Sequence, residues 1–284
     1  MKKQRRSYEA QDGDVLTGTL ANSVKISVAA GATVTLKDAS INAGKSMSGD
    51  RAGITCYGNA TLIIEGTNTV RSFGDYKAGI FVPEGSTLII QGSGTLTVSG
   101  NYGAGIGGND SSTAGSIIIA GGNIEASSGS GAGIGCGNSR SCGNITITGG
   151  IVTATSSTGA GIGCSAYSGA CGRITITRGS VTATGKSGIG TGWQWGTCGN
   201  IIITGGTVIA TGTNDKGSAI GCGDNTGDKG TCGDIIITSG VTSVTATKGA
   251  SSPYCIGATN CGTVTIGGVT GAITTSPYTY PALP

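Results

Sequence analysis

The chain has 284 residues, among them 57 glycines, ten cysteines and no histidine, with 17 basic against 14 acidic residues. So sparse and balanced a charge excludes the electrostatic footprint of a nucleic-acid binder. The missing histidine excludes Ser-His-Asp and Cys-His catalysis and every histidine-bearing zinc site.

In chain order, Lys2-Lys3-Gln4-Arg5-Arg6 reads as a solvated end of an N-terminal tail spanning residues 1–13. No apolar region follows these charges, so they do not form a signal peptide. No stretch approaches the roughly 20 apolar residues of a membrane helix, so direct membrane insertion is not expected. Ten cysteines nevertheless suit an oxidising compartment. The expectation is a secreted or surface-held protein whose export signal lies outside this chain.

From residue 14 to 270 a repeat governs the sequence. A small-small-Ile triplet recurs at Ala52-Gly53-Ile54, Ala78-Gly79-Ile80, Ala104-Gly105-Ile106, Ala132-Gly133-Ile134, Ala160-Gly161-Ile162 and Ser187-Gly188-Ile189. Ser218-Ala219-Ile220 and Tyr254-Cys255-Ile256 are looser copies. Steps of 26, 26, 28, 28, 27, 31 and 36 residues between the anchor isoleucines mean one supersecondary unit stacked on itself.

Residues 142–164 show the unit. Ile145-Thr146-Ile147-Thr148 alternates with period two, Gly149-Gly150 turns, and Ile151-Val152-Thr153-Ala154-Thr155 alternates again. Ser156-Ser157-Thr158 makes the next turn, and Gly159-Ala160-Gly161-Ile162-Gly163 forms a third, small-residue strand. Three strands and three turns make one triangular coil. The prediction is an all-β, single-stranded, right-handed parallel β-helix of about eight to nine coils, the hand following the preference of parallel crossovers. Ile147, Ile176, Ile203 and Ile237 should form one inner ladder and Val152, Val181, Val208 and Val244 another. Residues 271–284, punctuated by proline, read as a C-terminal cap or linker.

The cysteines fall into columns. Cys142, Cys171, Cys198, Cys232 and Cys261 each precede a strand's first apolar residue by three, and Cys136, Cys164 and Cys222 each follow an anchor isoleucine by two. Same-loop bridges Cys136–Cys142, Cys164–Cys171, Cys222–Cys232 and Cys255–Cys261 are expected, leaving Cys56 and Cys198 free. No metal site is expected, because Cys-only sites usually show Cys-x₂₋₄-Cys spacings. No cofactor is expected either: Gly103-Ala104-Gly105-Ile106-Gly107-Gly108 matches a dinucleotide pattern by letter but opens no helix.

Parallel β-helices also carry polysaccharide lyases and glycosidases, which need two carboxyls across a cleft. Glu84 with Asp110 and Asp224 with Asp228 are the available couples. Their loops are short and build no deep cleft, so an enzyme is not expected. Rows of outward threonines (Thr148, Thr177, Thr204, Thr238 and Thr155, Thr184, Thr211, Thr247) would suit an ice-binding array, yet threonine is simply favoured on half-exposed strands. The aromatics are few, and Tyr167, Trp193 and Trp195 fall on adjacent loops. With Gln194, and with Asp224 and Asn225 as polar rim, they form the candidate binding site; the alternative is that both tryptophans fold over the loop and cover the coil beneath.

The phrases Gly-Ala-Gly-Ile-Gly-Cys (131–136) and Cys-Gly-Asn-Ile-Thr-Ile-Thr-Gly-Gly (142–150), with Ala-Gly-Ile-Thr-Cys-Tyr-Gly-Asn-Ala-Thr-Leu-Ile-Ile-Glu-Gly (52–66), resemble repeat-rich surface proteins of anaerobic gut bacteria of the Bacteroidetes kind. The likeness covers roughly residues 14–270. It implies export and an adhesin-like or carbohydrate-binding role, and it transfers no functional residue. The resulting expectation is a non-enzymatic scaffold for a macromolecule, with a host or luminal protein ahead of a glycan.

Overall fold

The computed structural model describes residues 7–281 apart from 21–23, 42–50, 73, 111, 193–194, 214, 223 and 226–227. Its backbone winds as a parallel β-solenoid, and the described residues contain no helix. One sheet stacks ten parallel strands, from Ser7–Ala10 and Lys25–Val28 through Ile54–Cys56 and Ile80–Phe81 to Ile256–Gly257. The anchor isoleucines pair directly, coil on coil: Ile54 with Ile80, Ile80 with Ile106, and so on to Ile220 with Ile256. Among the described residues the stack already includes Ser7–Ala10, which pairs with Lys25–Val28.

The other two faces follow from period-two alternation. Every second side chain points inward, and only the in-register residue of the next coil covers it. The second face carries the ladder Ile119, Ile147, Ile176, Ile203, Ile237 and Ile266. The third carries Leu96, Ile124, Val152, Val181, Val208 and Val244. All are buried, in one continuous core running the length of the stack. The turn between these faces needs a left-handed residue, which Gly150 supplies at φ 86°.

Three of the outward threonines turn their hydroxyls back to the stack. Thr148 and Thr177 each donate at 3.5 Å to the carbonyl of the coil before, and Thr238 donates to the Thr204 carbonyl at 3.3 Å. Ile202 and Ile209 interrupt the neighbouring rows. At the C-terminal end the parallel pattern stops: Tyr278–Tyr280 lies antiparallel to Val244–Ala246, and both tyrosines pack on the core.

Candidate functional site

The face formed by the anchor strands is the shortest of the three, and loops flank it on both sides. In most coils the residue after the anchor isoleucine is glycine at strongly positive φ, as at Gly135 (135°) and Gly163 (130°). This lets the chain fold tightly over the strand. Ala132 N–H donates to the Cys136 carbonyl and Ala160 N–H to the Cys164 carbonyl, each at 2.9 Å. A Cβ at Gly163 would run into the Gly190 carbonyl of the next coil.

Two coils depart from this pattern. Thr55 and Phe81 occupy the glycine column, paired to each other, and Phe81 pairs in turn with Gly107. Beside Phe81, Asn109 of the following coil accepts from Ala78 N–H at 2.9 Å. The result is a depression of about 260 Å³ lined by Lys25, Arg51, Thr55, Tyr57, Lys77 and Phe81, with Ala52 and Asn109. Lys25 Nζ donates to the Tyr57 hydroxyl at 3.1 Å and lies 5.6 Å from its ring centroid. Three cations and two aromatic rings therefore share one shallow hollow.

Further aromatics stand on the loops that precede the anchor strands. Tyr76 and Tyr102 precede their anchor isoleucines by four residues, and their rings stack at 5.2 Å between centroids and 16° between planes. The Tyr76 carbonyl accepts from Asp110 N–H and the Tyr102 carbonyl from Asn138 N–H, which joins the loop before one anchor strand to the loop after the next. Tyr57, Tyr76, Tyr102, Tyr167 and Trp195 are all exposed. Counted in coils, Tyr57 and Trp195 are five steps apart, about 24 Å at ~4.8 Å per coil.

Of the residues expected at the site, Tyr167 is 43% and Trp195 58% exposed, Trp195 with φ 55°. Neither is folded away as a cover for the coil beneath. Their loops ride on one another at a single corner, where Ala170–Cys171, Thr197–Cys198 and Thr231–Cys232 form a three-stranded parallel ribbon. Trp193 and Gln194 lie outside the described residues. Asp224–Asn225 pairs antiparallel with Asp228–Lys229 as a small hairpin on the next loop. Tyr57, Tyr76, Tyr102 and the Phe81 hollow lie away from the tryptophan loop on which the expected site was centred. The signal was present: Phe81 breaks the glycine column, and Tyr76 and Tyr102 share one offset from their anchors.

All four expected same-loop cysteine bridges need correction. Cys232 is bridged to Cys261 (Cα–Cα 4.4 Å), so Cys222–Cys232 and Cys255–Cys261 do not form. In-register columns bring cysteines of successive coils closer than the two ends of one loop. Cys255 instead faces the third side and donates to the Ala246 carbonyl at 3.2 Å, while Cys222 Sγ stays 3.4 Å from Cys261 Sγ. Cys136, Cys142, Cys164 and Cys171 are free buried thiols, as are Cys56 and Cys198, so the Cys136–Cys142 and Cys164–Cys171 bridges are absent too. Burial pushes the Cys56 thiol up to about 12. The Sγ atoms of Cys136, Cys142 and Cys171 lie within 4.8 Å of one another. Same-loop spacing could not register this, because Cys171 comes from the next coil.

Five stretches, residues 88–110, 117–138, 145–166, 174–193 and 201–224, match the family model described as Beta helix repeat. The chain is a repeat-rich parallel β-helix protein. No curated protein and no solved structure matches it. The matched stretches each run from a second-face strand to the loop past the next anchor, so they coincide with the structural repeat and leave the ligand open.

Proposed function

We propose that this β-helix protein is a non-catalytic scaffold, secreted or held at a cell surface, that grips an extended acidic polysaccharide along its anchor flank. The carrying observation is the hollow in which Lys25, Arg51 and Lys77 meet Tyr57 and Phe81. Cations there answer carboxylates on a polymer, and ring faces answer the apolar faces of sugars. Tyr76 and Tyr102 extend the contact one coil at a time, so a repeating rod meets a repeating ligand. A hollow this small suits one sugar-sized group and not a buried reaction centre. The absence of histidine and the exposed position of Glu84 at an open depression favour binding over lyase or glycosidase chemistry. Export is supported by the Cys232–Cys261 bridge and by the resemblance to surface proteins of gut bacteria.

A protein partner is the second reading, favoured by the 58% exposure of Trp195 beside the Asp224–Asn225 hairpin. Affinity electrophoresis through gels holding polygalacturonate or a neutral glucan separates the two. Retardation by the acidic polymer, weakened by salt and lowered at least ~10-fold in Tyr57→Ala with Lys25→Ala, is expected at the ~1.4 kcal/mol per decade of binding. Equal mobility in both gels, or a shift indifferent to the double variant, removes the acidic-polysaccharide reading.

A further inference from the structure

We propose that Cys136, Cys142, Cys164 and Cys171 form a thiolate site for a thiophilic closed-shell cation such as Zn²⁺. Three of the four sulfurs already lie within 4.8 Å of one another. Tetrahedral Zn–thiolate bonds of ~2.3 Å set sulfur–sulfur distances of about 3.8 Å, so closing these three asks for shifts on the order of 1 Å. Cys164, buried on the same loop as Cys171, would supply the fourth ligand by exchanging its hydrogen bonds to the Gly169 and Thr197 carbonyls (3.6 and 3.1 Å) for the ion. The set is sulfur only, which selects thiophilic ions over hard ones.

The sequence builds this set in only two adjacent coils. In the coil after them the place of Cys164 is taken by Thr191, so Cys198 has no same-coil companion. All four thiols are buried, Cys142 the least at 7%, and Cys142 lines an open depression with Glu84, Ser86 and Thr113 that offers a way in. On binding, each coordinating thiol loses its proton to solvent, so affinity falls as pH falls. Coordination also ties the loop carrying Tyr167 to the coil beneath it.

The test titrates Zn²⁺, against a chromophoric chelator, into the full chain purified reduced and metal-free. One ion per chain is expected, with a thiolate-to-metal charge-transfer band when Cd²⁺ replaces Zn²⁺. Cys164→Ser should weaken binding at least ~100-fold, the loss of a ligand costing no less than that of an outer-shell partner. Cys56→Ser, outside the cluster, should leave it unchanged, and circular dichroism verifies that each variant is folded. The proposal is overturned if the folded, reduced chain takes up no ion or if Cys164→Ser binds as tightly as the parent. It is equally overturned if thiol-blocked mass mapping recovers disulfides among the four cysteines.

Discussion

Asp38 and Asn68, from successive coils, cap each other's backbone: Asn68 Oδ1 accepts from Ala39 N–H and Asp38 Oδ1 from Thr67 N–H, each at 2.9 Å. Asp38 sits at φ 50°, where later coils use glycine. Asn68 stands in register with Leu96 on the third face, so a polar side chain fills an apolar column. It is fully buried, and its amide also donates to the carbonyls of Glu65 and Thr95. The pair builds the corner that a Gly-Gly turn builds elsewhere.

Replacing Asn68 by Ala should therefore destabilise the fold by about 2–4 kcal/mol, because Ala39 N–H is left buried without an acceptor. Asn68→Leu, which matches the column in shape, should cost about as much for the same reason. Urea unfolding of the two variants checks this; a leucine variant as stable as the parent would mean the corner does not need the cap.

Cys222 should inherit the bridge of Cys232. With its sulfur 3.4 Å from Cys261, Cys222 is placed to form Cys222–Cys261 when Cys232→Ser is folded in a glutathione redox buffer. Peptide mapping under non-reducing conditions reads the new cross-link. Breaking the native bridge, which spans a sequence separation of 29, should remove up to about 3.5 kcal/mol on the loop-entropy scale.

At the N-terminal coil, Asp14 accepts hydrogen bonds from Gln11 N–H (2.8 Å) and from the Tyr8 hydroxyl (2.7 Å). The backbone bond from Gln11, then that from Tyr8, holds the Asp14 carboxyl below its ordinary value. A carboxyl depressed on folding contributes stability above its unfolded pKa and loses it as pH falls through the lower folded value. The Gln11 amide should thus exchange faster with deuterium as pH drops below the ordinary aspartate range, after correction for intrinsic rates. Asp14→Asn should flatten that dependence, and an unchanged profile would detach the turn from Asp14.

The stack was legible because coil closure imposes one period on every inward residue. The anchor isoleucines set the coil and the period-two alternation of each strand sets its face, so Ile147 must meet Ile176 and Val152 must meet Val181, and they do. Features that arise between coils were not legible in the same way. Cys232–Cys261 and the Cys136–Cys142–Cys171 group depend on which loop lies above which, while spacing along one loop counts only residues within it. The Phe81 hollow is a local failure of the repeat, visible once Gly107, Gly135 and Gly163 define what the repeat requires. The Asp38–Asn68 corner is hidden by apparent simplicity, since an asparagine in an alternating strand reads as outward until its neighbours fix its face.

The antiparallel strand Tyr278–Tyr280 bears on self-assembly. An open parallel solenoid offers at each end a template on which another molecule can continue the winding, the route to fibrils. Here the strand that follows Val244–Ala246 runs the opposite way and sets two tyrosine rings against the last apolar layer. A second molecule arriving at that end meets reversed polarity on this face and cannot extend its ladder in register. On this face the rod thus ends in a strand of reversed direction instead of an open parallel edge.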